Sequence, residues 1–331
     1  MRQLPPPPIA RRHRFVLWCA SLWLALRHPV MMVRHRRKMG SWPNPGHPHS
    51  YSDKMMWRKL LDRNPLFVTA TDKLAAKDYI ATRTPGLPQP QVLWTGRSAA
   101  EIPDDVLAGP AIVKATNGCG ANFRVEAGKP DRPTIARATR HLLRPGGYHR
   151  REEWAYWPIE GRLLAEEALA LGGDDLPTDL KAYVAGGRVC NVWAVDKLGG
   201  RSLTLSADGT PLPGRDELYP SDDDALPWSN RLAELTREAA ALALILAAEF
   251  DMLRVDFLVT AQGLYAGELT IYSSGGYDVY FNPAVPAEIA DAWDLRRSWW
   301  LRQPHHALAG RYAEALIAAE TARRAPAGQQ R

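Results

Sequence analysis

The sequence predicts an α+β or α/β fold, and three observations carry that expectation. Short apolar runs with period-two alternation, such as Gln91 to Trp94 and Ala111 to Ala115, recur in strand-like form. A long amphipathic stretch from Asn230 to Glu249 leads into two further strands, Leu253 to Thr260 and Gly263 to Leu269, joined by a turn at Ala261 to Gly263. Helical signals sit before and between these strands, a mixture that argues against a helical bundle. With 331 residues, 46% hydrophobic and 24% charged, the chain can bury a substantial core. Its 25 Gly and 27 Pro follow no period and its three Cys are scattered. Collagen-like, low-complexity and disulfide-scaffold classes are thereby excluded, and a reducing cytoplasm fits best.

The chain opens on a flexible Pro5 to Pro8 run, followed by Arg11, Arg12, His13 and Arg14 and the apolar stretch FVLWCASLWLAL from Phe15 to Leu26. Arg27, His28 and Pro29 close that stretch, and Arg34, Arg36, Arg37 and Lys38 add a second basic cluster. The stretch is shorter than the ~20 residues a helix needs to cross a bilayer. It has the outline of a signal peptide but lacks a small-residue cleavage site. A helix lying on an anionic inner membrane leaflet is the expectation, with aromatic and aliphatic groups inserted. The competing expectation is a helix packed on the body through Trp18, Leu22 and Leu26. Of the formal charge of +6, nine positive residues fall within 1–50, where the first carboxylate, Asp53, has not yet appeared. The remainder is therefore mildly acidic, which speaks against nucleic acid as a partner.

Residues 41–50, SWPNPGHPHS, read as a linker or fixed loop. Helices are expected at Ser52 to Leu61 and, capped by Thr71 or Asp72, at Thr71 to Thr82. Further strands are expected at Arg162 to Glu167, Asp179 to Val184 and Arg188 to Val195. A last helix near His306 to Arg323 ends in the tail APAGQQR, expected to be disordered. Trp57, Trp154, Trp157 and Trp193 are expected in the core.

Three constellations could carry chemistry. In IVKATNGCGANF, residues 112–123, a strand delivers Lys114 just before a loop of Asn117, Gly118, Cys119 and Gly120. Lysine supplies a point charge for phosphate, and glycines let backbone N–H groups approach its oxygens; an ordinary hairpin would look the same. The Lys precedes the glycines, so this is not a P-loop. In RVDFLV and AGELTIYSSGG, alternation puts Arg254 and Asp256 on one strand face and Leu253 and Phe257 on the other. If the two strands pair through their short turn, Glu268 stands near Asp256. Two hard carboxylates on adjacent strands suit Mg²⁺ bridging nucleotide phosphates, with Arg254 available to neutralise developing charge; a salt-bridged surface hairpin is the alternative. In LLAEEALAL, a strand ending in Glu166 and Glu167 can act as a hinge that reads an adenine edge.

TDKLAAKDYI, IVKATNGCG, EEWAYWPIEGRLLAEE, TDLKAYVAGGRV, LRVDFLV and AGELTIYSSGG, in that order, resemble the TupA-like ATP-grasp family, associated with bacterial cell-surface polysaccharide synthesis. The approach segment SYSDKMMWRKLLDRNPL resembles it too, and the likeness covers roughly residues 41–285. It implies an ATP-grasp fold, two α/β subdomains clasping ATP, with a basic and apolar leader over 1–40, the family domain over 41–302 and a helix and tail over 303–331. It implies that Lys73 and Lys114 hold ATP phosphates beside Asn117, Gly118 and Gly120. Glu166, Glu167 and the backbone to Leu169 would form the adenine hinge, with Asp179 near the ribose and Lys181 reaching phosphate or acceptor. Asp256 and Glu268, with Thr270 as a further candidate, would bind Mg²⁺, and Arg254 would face the reacting centre. Three residues depart from the family pattern: Cys119 replaces a usual Ser, Leu180 an aromatic, and Thr270 the Asn that many ATP-grasp enzymes use for metal.

The resemblance implies an ATP-dependent carboxylate–amine ligase: a carboxylate on a small molecule or glycan attacks the γ-phosphate, and an amine captures the acyl phosphate. A sugar or glycan kinase and a non-catalytic ATP-binding subunit of a polysaccharide assembly complex are the alternatives. Glu268→Gln and Asp256→Asn are expected to abolish turnover and preserve the fold. The expected location is the cytoplasm, at the inner face of its membrane.

Overall fold

The computed structural model describes residues 9–118, 120, 122–144, 152–173, 176–212, 225–277 and 283–325. The Pro5 to Pro8 run, Cys119 and residues 326–331 of the tail lie outside them. The described chain divides into two compact units. One holds residues 9–64, 274–277 and 283–325; the other holds 65–273.

The first unit opens with α1 (Arg11–Arg27) and α2 (Pro29–Met39), whose axes bend by 96° at His28. Pro29 sits in the first turn of α2, where its missing N–H costs nothing, and Gly40, at φ +73°, ends it in the left-handed conformation glycine favours. Among the described residues no single helix is long and apolar enough to cross a membrane; only the bent α1–α2 pair taken together has that composition. In α3 (Tyr51–Leu60), Ser50 and Asp53 form a capping box, each side chain accepting from the other's backbone N–H. Asp53 Oδ1 also accepts from Asn44 N at 2.7 Å, so the 41–50 segment is a fixed loop.

The second unit begins with α4 (Pro65–Thr71) and α5 (Lys73–Arg83), the latter capped by Asp72, whose carboxylate accepts from Leu74 N. There follow β1 (Val92–Gly96), α6 (Asp104–Ala108), β2 (Ala111–Ala115), β3 (Asn122–Val125), α7 (Arg132–Thr139) and β4 (Leu163–Glu167). These strands make an antiparallel sheet in the order β1-β4-β2-β3. Along β2, Ala111, Val113 and Ala115 are buried, the first two in a core with Val106, Leu107, Val125 and Ile135, while Lys114 belongs to the other face. The chain then builds β5 (Asp179–Ala185), β6 (Arg188–Asp196), β7 (Arg201–Leu205), α8 (Asn230–Leu246), β8 (Met252–Thr260) and β9 (Gly263–Thr270). This second sheet runs β7-β6-β5-β8-β9, all antiparallel, and α8 packs against β5, β6 and β8. Every residue of β5 is buried.

The first unit is completed by α9 (Ala284–Ala292) and α10 (Ala307–Arg324). α10 packs against α1, and α3 against α9. Lys54 of α3 is fully buried and donates to Ala290 O at 2.7 Å and Trp293 O at 2.5 Å, satisfying the carbonyl end of α9. Burial pushes its ammonium down to about 7, against the pull of Glu320. Trp57 Nε1 donates to Tyr312 OH at 3.0 Å, and the Arg58 guanidinium lies 4.4 Å from the Trp293 ring centroid. These ties group residues 41–64 and 283–302 with the leader and the last helix, so the domain borders expected at 40 and 302 fall inside the first unit. α1 packs through Leu17 and Leu24, both 1% exposed, whereas Trp18, Leu22 and Leu26, expected to make the contact, are exposed. Trp57, Trp154 and Trp193 are buried, but Trp157, expected in the core, is 41% exposed.

Candidate nucleotide and ligation site

The first group of predicted residues gathers on the four-stranded sheet. Lys114 projects from β2 on the face opposite the core and pairs with Glu166 of the neighbouring β4. Lys77 reaches the other oxygen of Glu166 at 3.3 Å, so this buried carboxylate is held between two lysines. Lys73 donates to Gly118 O at 2.5 Å, and its backbone N–H to Thr116 O at 3.2 Å, which ties the start of α5 to the loop between β2 and β3. Lys77 escaped the sequence reading, although its i,i+4 spacing from Lys73 puts both on one face of α5. That loop is a hairpin connection, with Lys114 opposite Asn122 in register. Gly120 adopts φ +81° there. Asn117 turns its side chain inward, donating to Leu142 O at 2.7 Å, so its contribution to a ligand is left to its backbone.

The hinge segment leaves this sheet after β4. Glu167 accepts from Gln91 N at 2.9 Å through Oε1, and Ala168 N–H donates to Pro110 O. Leu169 is half-buried, and its N–H finds no acceptor among the described residues. A free N–H after a strand end is the kind of group that reads a purine edge.

The second group stands on the five-stranded sheet, where β5, β8 and β9 lie side by side. Lys181, Asp256 and Glu268 are successive cross-strand partners, as are Tyr183, Arg254 and Thr270. Directly opposed residues share a sheet face, so all six side chains rise from one side. Arg254 grips Asp256 with two hydrogen bonds, Nε to Oδ1 at 2.6 Å and Nη2 to Oδ2 at 2.7 Å, and donates to Thr270 Oγ1 and Ser273 Oγ at 3.2 and 2.9 Å. Lys181 Nζ donates to Asp256 Oδ2 at 3.0 Å and lies 3.6 Å from Asp179. Burial alone would raise the carboxyl of Asp256, but Arg254 and Lys181 outweigh it and hold the group well below the usual carboxylate range. Asp179 is buried and accepts from Thr178 Oγ1 at 2.7 Å and from Lys197 Nζ at 2.6 Å. Lys197 and Ser273 are further additions that sequence alone did not offer.

A bulge makes the β8–β9 register possible. Gly267 is the extra residue of β9 between the pairs Asp256–Glu268 and Phe257–Ala266, and a Cβ there would sit 2.7 Å from Asp256 O. Only glycine allows that approach, and the bulge is what sets Glu268 across from Asp256. Glu268 is exposed and forms no hydrogen bond or ion pair among the described residues.

The donor set fits Mg²⁺. Oδ1 of Asp256 accepts one hydrogen bond and keeps a lone pair, and Glu268 keeps its whole carboxylate. No three His, Cys, Asp or Glu side chains cluster as a metal cage among the described residues. Two protein carboxylates with the remaining positions left to phosphate and water is how Mg²⁺ is commonly held at nucleotide sites. Thr270, expected as a further candidate, accepts one hydrogen bond from Arg254 Nη2 at 3.2 Å and likewise keeps a lone pair.

Comparison with curated proteins gives no match. Among solved structures, a D-alanine–D-alanine ligase from Bacillus anthracis, complexed with ATP, shares 13% identity over 69% of this chain and 66% of its own, with a TM-score of 0.38. VanG D-Ala:D-Ser ligase from Enterococcus faecalis shares 12% over 76% of this chain and 62% of its own, with a TM-score of 0.39. An N5-carboxyaminoimidazole ribonucleotide synthetase from Thermotoga maritima shares 14% over 61% and 41%, with a TM-score of 0.34. This chain thus spans less than two thirds of the length of the VanG and Thermotoga proteins and 66% of the Bacillus ligase. A family model for TupA-like ATP-grasp proteins matches residues 53–292, well over half of the 331 residues and inclusive of every site residue described above. The chain belongs to the TupA-like ATP-grasp family.

Proposed function

We propose that the protein is an ATP- and Mg²⁺-dependent carboxylate–amine ligase that works through an acyl phosphate in cell-surface polysaccharide biosynthesis, at the inner face of the cytoplasmic membrane. An amino acid and a uronic acid, free or within a glycan, are the first substrate pair to try. The observation that carries this reading is the Arg254–Asp256–Lys181 cluster, with Glu268 across the strand pair, inside a chain of this family.

The lysines of the first sheet would hold ATP phosphates. Lys114 and Lys77 now neutralise Glu166 and can share their charge with an incoming polyphosphate. Leu169 N–H would take the adenine edge. Mg²⁺, held by Asp256 and Glu268, would supply charge neutralisation for the β- and γ-phosphates. A substrate carboxylate arrives deprotonated and needs no general base, which suits a site whose buried Asp256 is a weak one. Attack on the γ-phosphorus forms the carboxyl-oxygen-to-phosphorus bond and releases ADP. An amine then adds to the acyl carbon, and phosphate leaves with that oxygen. Arg254 is fixed by four hydrogen bonds and protonated, so it can meet the oxyanion of the tetrahedral intermediate without reorganising.

The test is ADP release by the purified chain with candidate pools. The reading expects release only when a carboxylate and an amine are both present, with a product lighter by one water than its two parents. Phosphate retained on a single substrate makes the protein a kinase. ATP binding without any release makes it a non-catalytic nucleotide-binding subunit.

A further inference from the structure

The N-terminal helix presents two opposite faces, and among the described residues one of them is buried in packing. At about 100° per residue, Leu17 and Leu24 fall within ~20° of each other, whereas Phe15, Trp18, Leu22 and Leu26 form a stripe centred roughly 150° away. The first pair is buried in the packing of α1 within its unit; the stripe is exposed, Trp18 at 61% and Leu26 at 73%. Trp23 on α1, then Val30 and Val33 on α2 and Trp42 beyond it, extend the exposed apolar surface. An apolar patch of this kind on a folded unit marks an interaction surface.

Its charge selects the occupant. Arg11, Arg12, Arg14 and Arg27 flank the stripe, all exposed and without an ion pair among the described residues, and Arg36, Arg37 and Lys38 continue the series on α2. The first carboxylate in the sequence, Asp53, is committed to the backbone of Asn44 and Ser50. A second copy of this chain would set these cations against one another, whereas an anionic lipid headgroup layer would neutralise them while its acyl boundary takes the indoles and leucines.

We infer that the exposed face of α1, continued by α2, docks in the plane of an anionic lipid bilayer, with the Leu17–Leu24 face still holding the helix on its own unit. This gives a concrete surface to the membrane location proposed above, and it does not depend on the chemistry at Arg254. Loss of ligase activity would leave it standing.

The experiment is vesicle flotation of the full chain on phosphatidylcholine alone and on phosphatidylcholine with about 30% phosphatidylglycerol. The wild type floats with the anionic vesicles only, and added salt weakens the association. Trp18→Ser/Leu22→Ser/Leu26→Ser lowers partitioning by at least about tenfold. Arg11→Gln/Arg12→Gln/Arg14→Gln, which leaves the apolar stripe intact, lowers it selectively on anionic vesicles. Wild-type flotation by either variant overturns the inference. So does failure of the wild type to bind, or a dimer in sedimentation that the serine variant dissolves.

Discussion

Asp256 and Glu268 stand across one strand pair, and their surroundings assign them different consequences. Glu268 is exposed and unpartnered, so Glu268→Gln should lower turnover by about 100-fold or more with an unchanged unfolding midpoint. Asp256 is the common acceptor for Arg254 and Lys181. Asp256→Asn leaves the Arg254 guanidinium without its carboxylate and Lys181 with only Asp179 at 3.6 Å, a loss of about 3–5 kcal/mol for a broken buried pair. Thermal unfolding of the two variants should therefore differ sharply, where the sequence alone suggested both would keep the fold. Lys114→Ala should weaken ATP binding by about tenfold or more, the worth of one charge-assisted contact of ~1.5–3 kcal/mol, in a nucleotide titration. Its partner Glu166 keeps Lys77, so the unfolding midpoint should move little. His47 offers a different readout, since burial and the neighbouring His49 push it down to about 4 from 6.5. The unfolded chain takes up that proton first, so stability is full above about 6.5 and falls as pH drops towards 4. In unfolding scans across that window, His47→Asn should flatten the pH dependence.

At the scale of elements, the site strands were legible and several supporting elements were not. Period-two alternation over 253–260 and a short turn are enough to pair β8 with β9, but unbroken register would set Gly267 across from Asp256, and the bulge brings Glu268 there. Alternation could not show the Gly267 bulge, because an inserted residue looks like any glycine until a backbone approaches it. β3, of four residues, is too short to carry a pattern, and β7, RSLTL, has only two apolar residues to show one; pairing with β2 and β6 makes them strands. The α2 segment reads in the sequence as a basic cluster, although Pro29 and Gly40 mark its ends. Its charges hid the period of Met31, Met32 and His35, the residues that bury it. Lys77 and Lys197 were missed for a related reason. An exposed-looking lysine declares its role only when a carboxylate from a distant strand is folded against it.

For the whole molecule, the leader is part of the first unit's architecture. Leu17, Leu24, Met31 and Met32 are buried, and Met31 and Met32 form one cluster with Met56 of α3. Removing residues 1–40 forfeits roughly 1.5–3 kcal/mol for each buried side chain. The truncated chain should unfold at a lower temperature, and an unchanged midpoint would show that the leader contributes nothing to folding. Truncation is therefore a poor test of membrane contact, and substitutions on the exposed face are the sound one. The catalytic reading rests on the second unit, where the cations and carboxylates of two sheets lie within the span that the family model matches. Oxygen-18 transfer tests it most directly. With a carboxylate substrate labelled in its oxygens, an acyl phosphate route predicts one label in the inorganic phosphate released, and only when the amine is present; unlabelled phosphate would contradict it.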